Sequence, residues 1–246
     1  MLTKNEIKFI KSLQQKKNRD IEKLFIAEGE KVVKEVIDSE LTVKEVFIKK
    51  GEGFSVPQNI KSVLVSDEIM EQISGMSTPP GIMAIIHYPE KKAPDFNLLM
   101  GTNFLILDRM NDPGNLGTVL RTADWFGIQN IFCSQDTVDC YNPKVVQSSM
   151  GSVFRVNVHY LPLKELLTDL MKCKISVFAA DMNGEKAHPS VFNKGGLLLG
   201  SESHGIDPDL FLSGVKKITI PKYGSAESLN VGVAGGILMW MMCGKD

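Results

Sequence analysis

The stretch Gly195–Gly236 constrains the fold more than any other part of the chain: GGLLLGSESHGIDPDLFLSGVKKITIPKYGSAESLNVGVAGG. Two short apolar runs, Leu197–Leu199 and Ile218–Ile220, each lead into a loop of small and polar residues. The second loop feeds Ser228-Leu229-Asn230 and then Val231–Met242, a helical run that is apolar on nearly every side. A strand that opens toward a helix N-terminus presents unpaired backbone N–H groups. Small residues there let a ligand approach the backbone. In open α/β sheets, ligands sit beyond the carboxyl ends of the strands. Two such ends close together in sequence imply one binding site built from both loops.

The rest of the second half alternates strand and helix. Strands are expected at Phe104–Leu107, Asn130–Cys133, Val153–Val158 and Ser176–Ala179, besides the two above. Helices are expected at Leu116–Phe126, Pro143–Met150, Leu163–Met171 and Leu229–Met242, with a short one near Asp207–Leu212. Uniformly apolar strands suit a parallel sheet covered on both faces. Residues 1–93 read as a smaller α/β/α domain, and residues 94–246 as the domain carrying the site. The boundary is placed in the polar, proline-containing segment Tyr88–Asp95. Within the first domain, strands are expected at Leu24–Ala27, Val43–Ile48, Ser62–Val65 and Ile82–Ile86. Helices should cover the start of the chain to Leu13, the segment after Glu28-Gly29-Glu30, and Asp67–Ile73.

Composition excludes little. The 246 residues are 43% hydrophobic and 23% charged, enough apolar content for a sizeable core. A formal net charge of −1 shows no bulk basicity. Clustered charge matters more than the total, so a nucleic-acid partner stays open. Cys133, Cys140, Cys173 and Cys243 show no metal-ligand spacing, which implies isolated thiols and no metal. No signal peptide is read at the N-terminus, and Val231–Cys243 is too short to span a bilayer. The expectation is a cytoplasmic protein with no membrane contact.

Residues 1–23 hold seven basic side chains, including Lys16, Lys17 and Arg19, against Glu6, Asp20 and Glu22. Lys16-Lys17-Asn18-Arg19 reads as a basic loop. It is either a solvated surface or a set of RNA phosphate contacts.

Three motifs in order are similar to those of the SpoU/TrmH branch of the SPOUT RNA methyltransferases. They are Asn111-Asp112-Pro113-Gly114-Asn115-Leu116-Gly117 with Arg121-Thr122-Ala123, then Gly200-Ser201-Glu202-Ser203-His204-Gly205, then Ile220-Pro221 with Ser228-Leu229-Asn230-Val231. They span most of residues 104–243. Two departures stand out: Lys222 where Met is usual, and Gly232 where a small polar residue is common. The resemblance implies a SPOUT-type α/β fold whose parallel sheet carries a deep trefoil knot, and a homodimer packed on the last helix. It implies S-adenosylmethionine as cofactor, and transfer of its methyl group to a ribose 2′-hydroxyl of RNA. The N-terminal domain resembles the family's substrate-binding domain, which ranks ribosomal RNA ahead of transfer RNA. The alternative is an RNA-binding or ribosome-assembly protein of the same fold without turnover. A Rossmann dehydrogenase is a third reading, weakened by the absent GxGxxG.

The resemblance assigns Asn115, Arg121, Glu202, Ser228 and Asn230 to the active site. It assigns Gly200, Ile220 and Leu229 to cofactor contacts through their backbones, and Ala180 completes that pocket at another strand end. Each has a plainer reading. Asn115 suits a helix N-cap, and so does Ser228. Arg121 suits an ion pair with Asp124. Glu202 anchors its own loop or contacts Asn115 or substrate. Asn115 and Arg121 are nearly two turns apart and are expected on one side of their helix. If residues 228–230 are extended, Ser228 and Asn230 share a face and Leu229 turns the other way. His204 is left as an accessory. Arg121 remains protonated in proteins, so gripping phosphate or steadying an oxyanion suits it better than acting as base.

Overall fold

The computed structural model describes residues 2–90, 94, 99–211 and 214–244. It divides into two compact units, residues 1–92 with 139–154, and residues 93–138 with 155–246. Segment 139–154 therefore groups with the N-terminal part, although it follows the first motif in sequence. The expected linker, Tyr88–Asp95, falls partly outside the described residues.

In the first unit, strands β1 (Leu24–Glu28), β2 (Val43–Lys49), β3 (Ser62–Val65) and β4 (Ile82–His87) form one sheet in the order β1-β4-β2-β3. β4 runs antiparallel to both neighbours, while β2 and β3 are parallel. Alternation sends Leu24 and Ile26 to one face, where Ile10 and Leu13 of the α1 region (Lys4–Ser12) pack with Met70 and Ile73 of α4 (Asp67–Ile73). Phe25 points the other way and stacks on Tyr141 at 4.5 Å between ring centroids. Helix α3 (Glu30–Ile37) buries Val32, Val33 and Val36, which recur at helical spacing.

The expected basic loop is instead a helix, α2 (Lys16–Glu22). Arg19 within it is buried, and its guanidinium pairs with Asp139 at 2.7 Å. The same group donates to the carbonyls of Leu13 and Gln14. Arg19 is thus a structural residue, and its assignment to RNA is corrected. A guanidinium that is 1% exposed, with four of its five N–H donors engaged, is not available to a phosphate. Lys16 and Lys17 stay exposed.

In the second unit, six parallel strands lie in the order β10-β8-β9-β5-β6-β7. They are β5 (Phe104–Leu107), β6 (Asn130–Cys133), β7 (Asn157–Tyr160), β8 (Ser176–Lys186), β9 (Gly195–Leu199) and β10 (Val215–Thr219). Helix α7 (Leu163–Lys172) lays Leu163, Leu166, Leu167 and Leu170 on one face of this sheet, against Phe104, Ile106 and Leu198. On the alternate face, α5 (Pro113–Trp125) and α8 (Val231–Cys243) pack together. Gly235 eases the approach of α8 to β9: a Cβ there would come within 2.9 Å of the Leu199 side chain. The short α6 (Pro143–Ser149) belongs to the first unit.

Three expected elements moved; the strand expected at Ile218–Ile220 is β10, Val215–Thr219. Val153–Val158 is not one strand. A 3₁₀ turn covers Ser152–Phe154, and β7 begins only at Asn157. β8 runs past Ala179, because its pairing with β10 jumps from Ala179 to Glu185 across a bulge. The residues of that excursion, 180–184, project toward the strand ends where the site lies.

Candidate active site

β5 and β9 pair in parallel with Leu107 opposite Leu199, so the loops after them leave the sheet at one level. The first loop starts at Asp108 and the second at Gly200. Asp108 is buried, and its carboxylate accepts from the Asp207 amide at 2.8 Å and from the Arg109 guanidinium at 3.0 Å. Arg109 adopts a left-handed backbone, with φ of 51°. Its amide donates to Ser134 Oγ at 2.8 Å, and its Nη1 approaches Asp207 at 3.6 Å. These contacts hold the far end of the Gly200–Asp207 loop to the end of β5.

The near end is closed by a backbone bridge between Ser201 and Gly205. Only glycine fits at 200, where a Cβ would meet the Gly205 carbonyl carbon at 2.2 Å. The clamped loop presents Glu202 to two amides. Asn115 Nδ2 donates to Glu202 Oε1 at 2.6 Å, and Asn230 Nδ2 donates to the same oxygen at 2.8 Å. Asn230 Nδ2 also reaches Asn115 Oδ1 at 2.9 Å. One residue from each motif therefore meets the other two.

The caps explain how these side chains are free to meet. Asp112, not Asn115, caps α5, and its carboxylate accepts from the Asn115 amide at 2.8 Å. That correction leaves the Asn115 side chain available. Asn230, not Ser228, caps α8, with Oδ1 accepting from Gly232 and Val233. Its Oδ1 serves the helix and its Nδ2 serves the site. Ser228 is exposed and makes no hydrogen bond among the described residues.

A cavity of about 660 Å³ lies beside this triad, at the ends of β8, β9 and β10. Ala180, Gly200, Ile220 and Leu229 all line it, as do Asp181, Glu202, Ser228 and Asn230. Leu199, Ile218 and Leu238 add apolar wall. A smaller hollow of about 220 Å³, lined by Asn111, Asp112 and Asn115, shares Ser201, Glu202 and Val231 with the larger one. Glu202 thus stands between the two. Burial pushes the Asp181 carboxyl up, but the Asn183 amide and the Lys217 ammonium outweigh it and lower the group below its usual range. Lys217 sits 3.0 Å from that carboxylate.

Arg121 is not brought to this site. It lines neither hollow, is exposed, and has no hydrogen bond or ion pair among the described residues. Six residues correspond to about 1.7 turns, which sets it roughly 120° around the helix from Asn115. Nor does it pair with Asp124, which binds Arg155 at 2.8 Å. Asp108 and Arg109 were not singled out from the sequence. Their signal was a charged pair at the end of an apolar strand.

Residues 102–240 match the SpoU rRNA Methylase family, and residues 4–84 match the MRM3-like substrate binding domain. The chain belongs to the SpoU rRNA methylase family. A 23S rRNA (guanosine(2553)-2′-O)-methyltransferase of Bacillus subtilis is 31% identical, over 97% of this chain and 96% of that one. A solved structure described as a putative RNA methyltransferase of the TrmH family from Porphyromonas gingivalis is 33% identical. Its TM-score is 0.87, and both chains are covered completely. An AdoMet-bound rRNA methyltransferase from Sinorhizobium meliloti is 27% identical with a TM-score of 0.80, covering 98% of this chain and 95% of that one. Within the SpoU pattern, Asn115, Glu202 and Asn230 are the residues that converge in a single copy of this chain.

Among the described residues, no cluster of side chains suits a metal, and no helix is long and apolar enough to cross a membrane.

Proposed function

We propose that this chain transfers a methyl group from S-adenosylmethionine to the 2′-hydroxyl of a nucleotide in ribosomal RNA. The observation that carries this reading is the meeting of Asn115, Glu202 and Asn230 at the edge of the strand-end cavity. The cavity suits the cofactor in size and character. Pockets for small ligands run from about 300 to 1,000 Å³, mostly apolar with a few placed polar groups. Leu229, Ile220 and Ile218 offer the apolar wall for an adenine. Asp181, Ser228 and the backbone at Gly200 offer polar groups for a ribose and an amino-acid tail. When bound, S-adenosylmethionine supplies a methyl group already activated by its positive sulfur.

The chain's own residues have a simpler task. Glu202, Asn115 and Asn230 form a rigid polar wall against which a ribose can be aligned. Each holds the others in place, so little ordering is left for the moment of reaction. Arg121 is expected from a second copy of the chain. The outer face of α8 exposes Val233 at 53% and Trp240 at 58%, an apolar stripe that a homodimer would cover. The Arg121 guanidinium delivered there would grip the backbone phosphate and steady charge developing on the 2′-oxygen. The proposal includes the family's knot, in which the C-terminal segment threads through a preceding loop, and a cytoplasmic setting with its RNA.

The test is transfer of labelled methyl from S-adenosylmethionine to ribosomal RNA from a strain lacking the gene, followed by mapping of 2′-O-methyl positions. One new site is expected. Leu229→Arg, which puts a charge in the apolar part of the cavity, should abolish cofactor binding. A wild-type protein that binds RNA and never transfers methyl would support the assembly-protein reading instead.

A further inference from the structure

The cavity accounts for the cofactor and for a ribose at its edge, but not for the base attached to that ribose. RNA is read mostly in loops and single strands, whose bases are splayed out of the stack. Proteins hold such a base by offering it a flat side chain. Among the described residues that line the cavity, Tyr223 is the one aromatic. It is 97% exposed, and it makes no hydrogen bond or ring contact among the described residues. A large ring held wholly in solvent at the rim of a site has no role in the core of this copy. Lys222 beside it is exposed and carries no ion pair among the described residues. It is also the position where the chain departs from the usual Met.

We propose that Tyr223 is the platform on which the base of the target nucleotide stacks, with Lys222 touching its phosphate. The idea rests on the methyl-transfer reading above and names how that site holds its RNA. Two other duties for the ring are disfavoured. The adenine of the cofactor already has aliphatic walls inside the cavity, at Leu199, Ile218, Ile220, Leu229 and Leu238. Tyr223 projects outward from them. The apolar stripe open to a second copy lies on α8, at Val233 and Trp240, not on this loop. Stacking is tolerant of base identity, so the platform would position the nucleotide without choosing its sequence.

The test uses the full-length protein with Tyr223→Ala, Tyr223→Phe and Lys222→Ala. Wild-type transfer to ribosomal RNA is measured first; its absence would sink the functional reading and not this inference alone. Given wild-type activity, Tyr223→Ala should raise KM for RNA by about tenfold, within the range alanine substitutions give for base stacking. Tyr223→Phe should restore KM to within about twofold, because the ring stacks without its hydroxyl. Calorimetric affinity for S-adenosylmethionine and sedimentation behaviour should not change in either variant. Lys222→Ala should lower the salt slope of RNA binding by about one. An unchanged KM in Tyr223→Ala overturns the proposal. A matching loss of cofactor affinity overturns it in favour of a lid over adenine, and a loss of dimer overturns it in favour of an interface.

Discussion

Arg19→Ala separates a structural cation from a nucleic-acid contact. The Arg19 side chain is 1% exposed and that of its partner Asp139 is 10% exposed. Nε and Nη2 donate to one carboxylate oxygen at 3.2 and 2.7 Å. Nη1 donates to the carbonyls of Leu13 and Gln14 at 3.0 and 2.8 Å, where α1 ends. Removing the guanidinium leaves a carboxylate and two carbonyls short of partners inside the first unit. Deleting one member of a buried pair costs about 3–5 kcal/mol. Asp139 keeps the Tyr141 amide at 3.1 Å and touches some solvent, which favours the lower end, about 3 kcal/mol. For a unit near 100 residues, each kcal/mol moves Tm by about 4–8 °C, so a fall of roughly 12–24 °C is expected.

Scanning calorimetry reads that fall directly. Arg19→Met with Asp139→Leu should recover most of it, since a buried pair replaced by apolar residues is often close to neutral. Lys16→Ala with Lys17→Ala should leave Tm unchanged and reduce the salt slope of RNA binding by about two. The assignment of Arg19 to structure is refuted if Arg19→Ala melts like wild type while RNA binding weakens.

Three further outcomes follow from the site. Glu202→Gln, which weakens the acceptor shared by Asn115 and Asn230, should lower kcat by about a hundredfold, a loss that small misplacements produce; single-turnover methyl transfer measures it, with cofactor affinity held within a few-fold. Asn230→Asp keeps an oxygen to cap α8 but sets a second carboxylate beside Glu202, so circular dichroism should report a folded protein while methyl transfer is lost. Val233→Glu with Trp240→Glu places charge on the exposed face of α8 and should yield monomers by sedimentation, with activity lost along with the dimer.

Strands β5, β6 and β9 were legible because each is a short apolar run bounded by turn residues. Helix α4 was legible from Asp67 near its start, and the Ser66 side chain caps it. The helix at Lys16 was not, because KKNRDIE has no apolar stripe. Its placement depends on Arg19 finding Asp139, a partner 120 residues away. The caps of α5 and α8 were misplaced by local reading. At both sites the alternatives, Asp112 or Asn115 and Ser228 or Asn230, are all good capping residues. At α5, Pro113 in the first helical position sets the start after Asp112; at α8, Asn230 caps through Oδ1 and reaches Glu202 through Nδ2. The burial of α8 was half legible. Its apolar run promised cover on every side, yet only Gly232, Gly235, Leu238, Met239 and Met242 are buried in one copy.

The charges around the cavity supply a reason for the proposed dimer beyond covering an apolar stripe. Among the described lining residues, Asp181, Glu202 and Glu227 face the larger hollow with Lys222, Asp181 being already paired with Lys217, and Asp112 with Glu202 lines the smaller. Among the described residues, no arginine lines either one. An RNA phosphate approaching this surface meets mainly carboxylates, a repulsion that neither the triad nor Lys222 alone offsets. Arg121 is the cation the motif carries, and α5 turns it about 120° from Asn115, away from its own site. A two-fold partner packed on α8 would carry its own α5 along, because α5 and α8 are packed together in each copy. The same rotation that removes Arg121 from one site then makes it available to another. On this reading the monomer folds and binds cofactor but holds RNA poorly. Isolated monomers should therefore keep S-adenosylmethionine affinity while losing RNA affinity and turnover together.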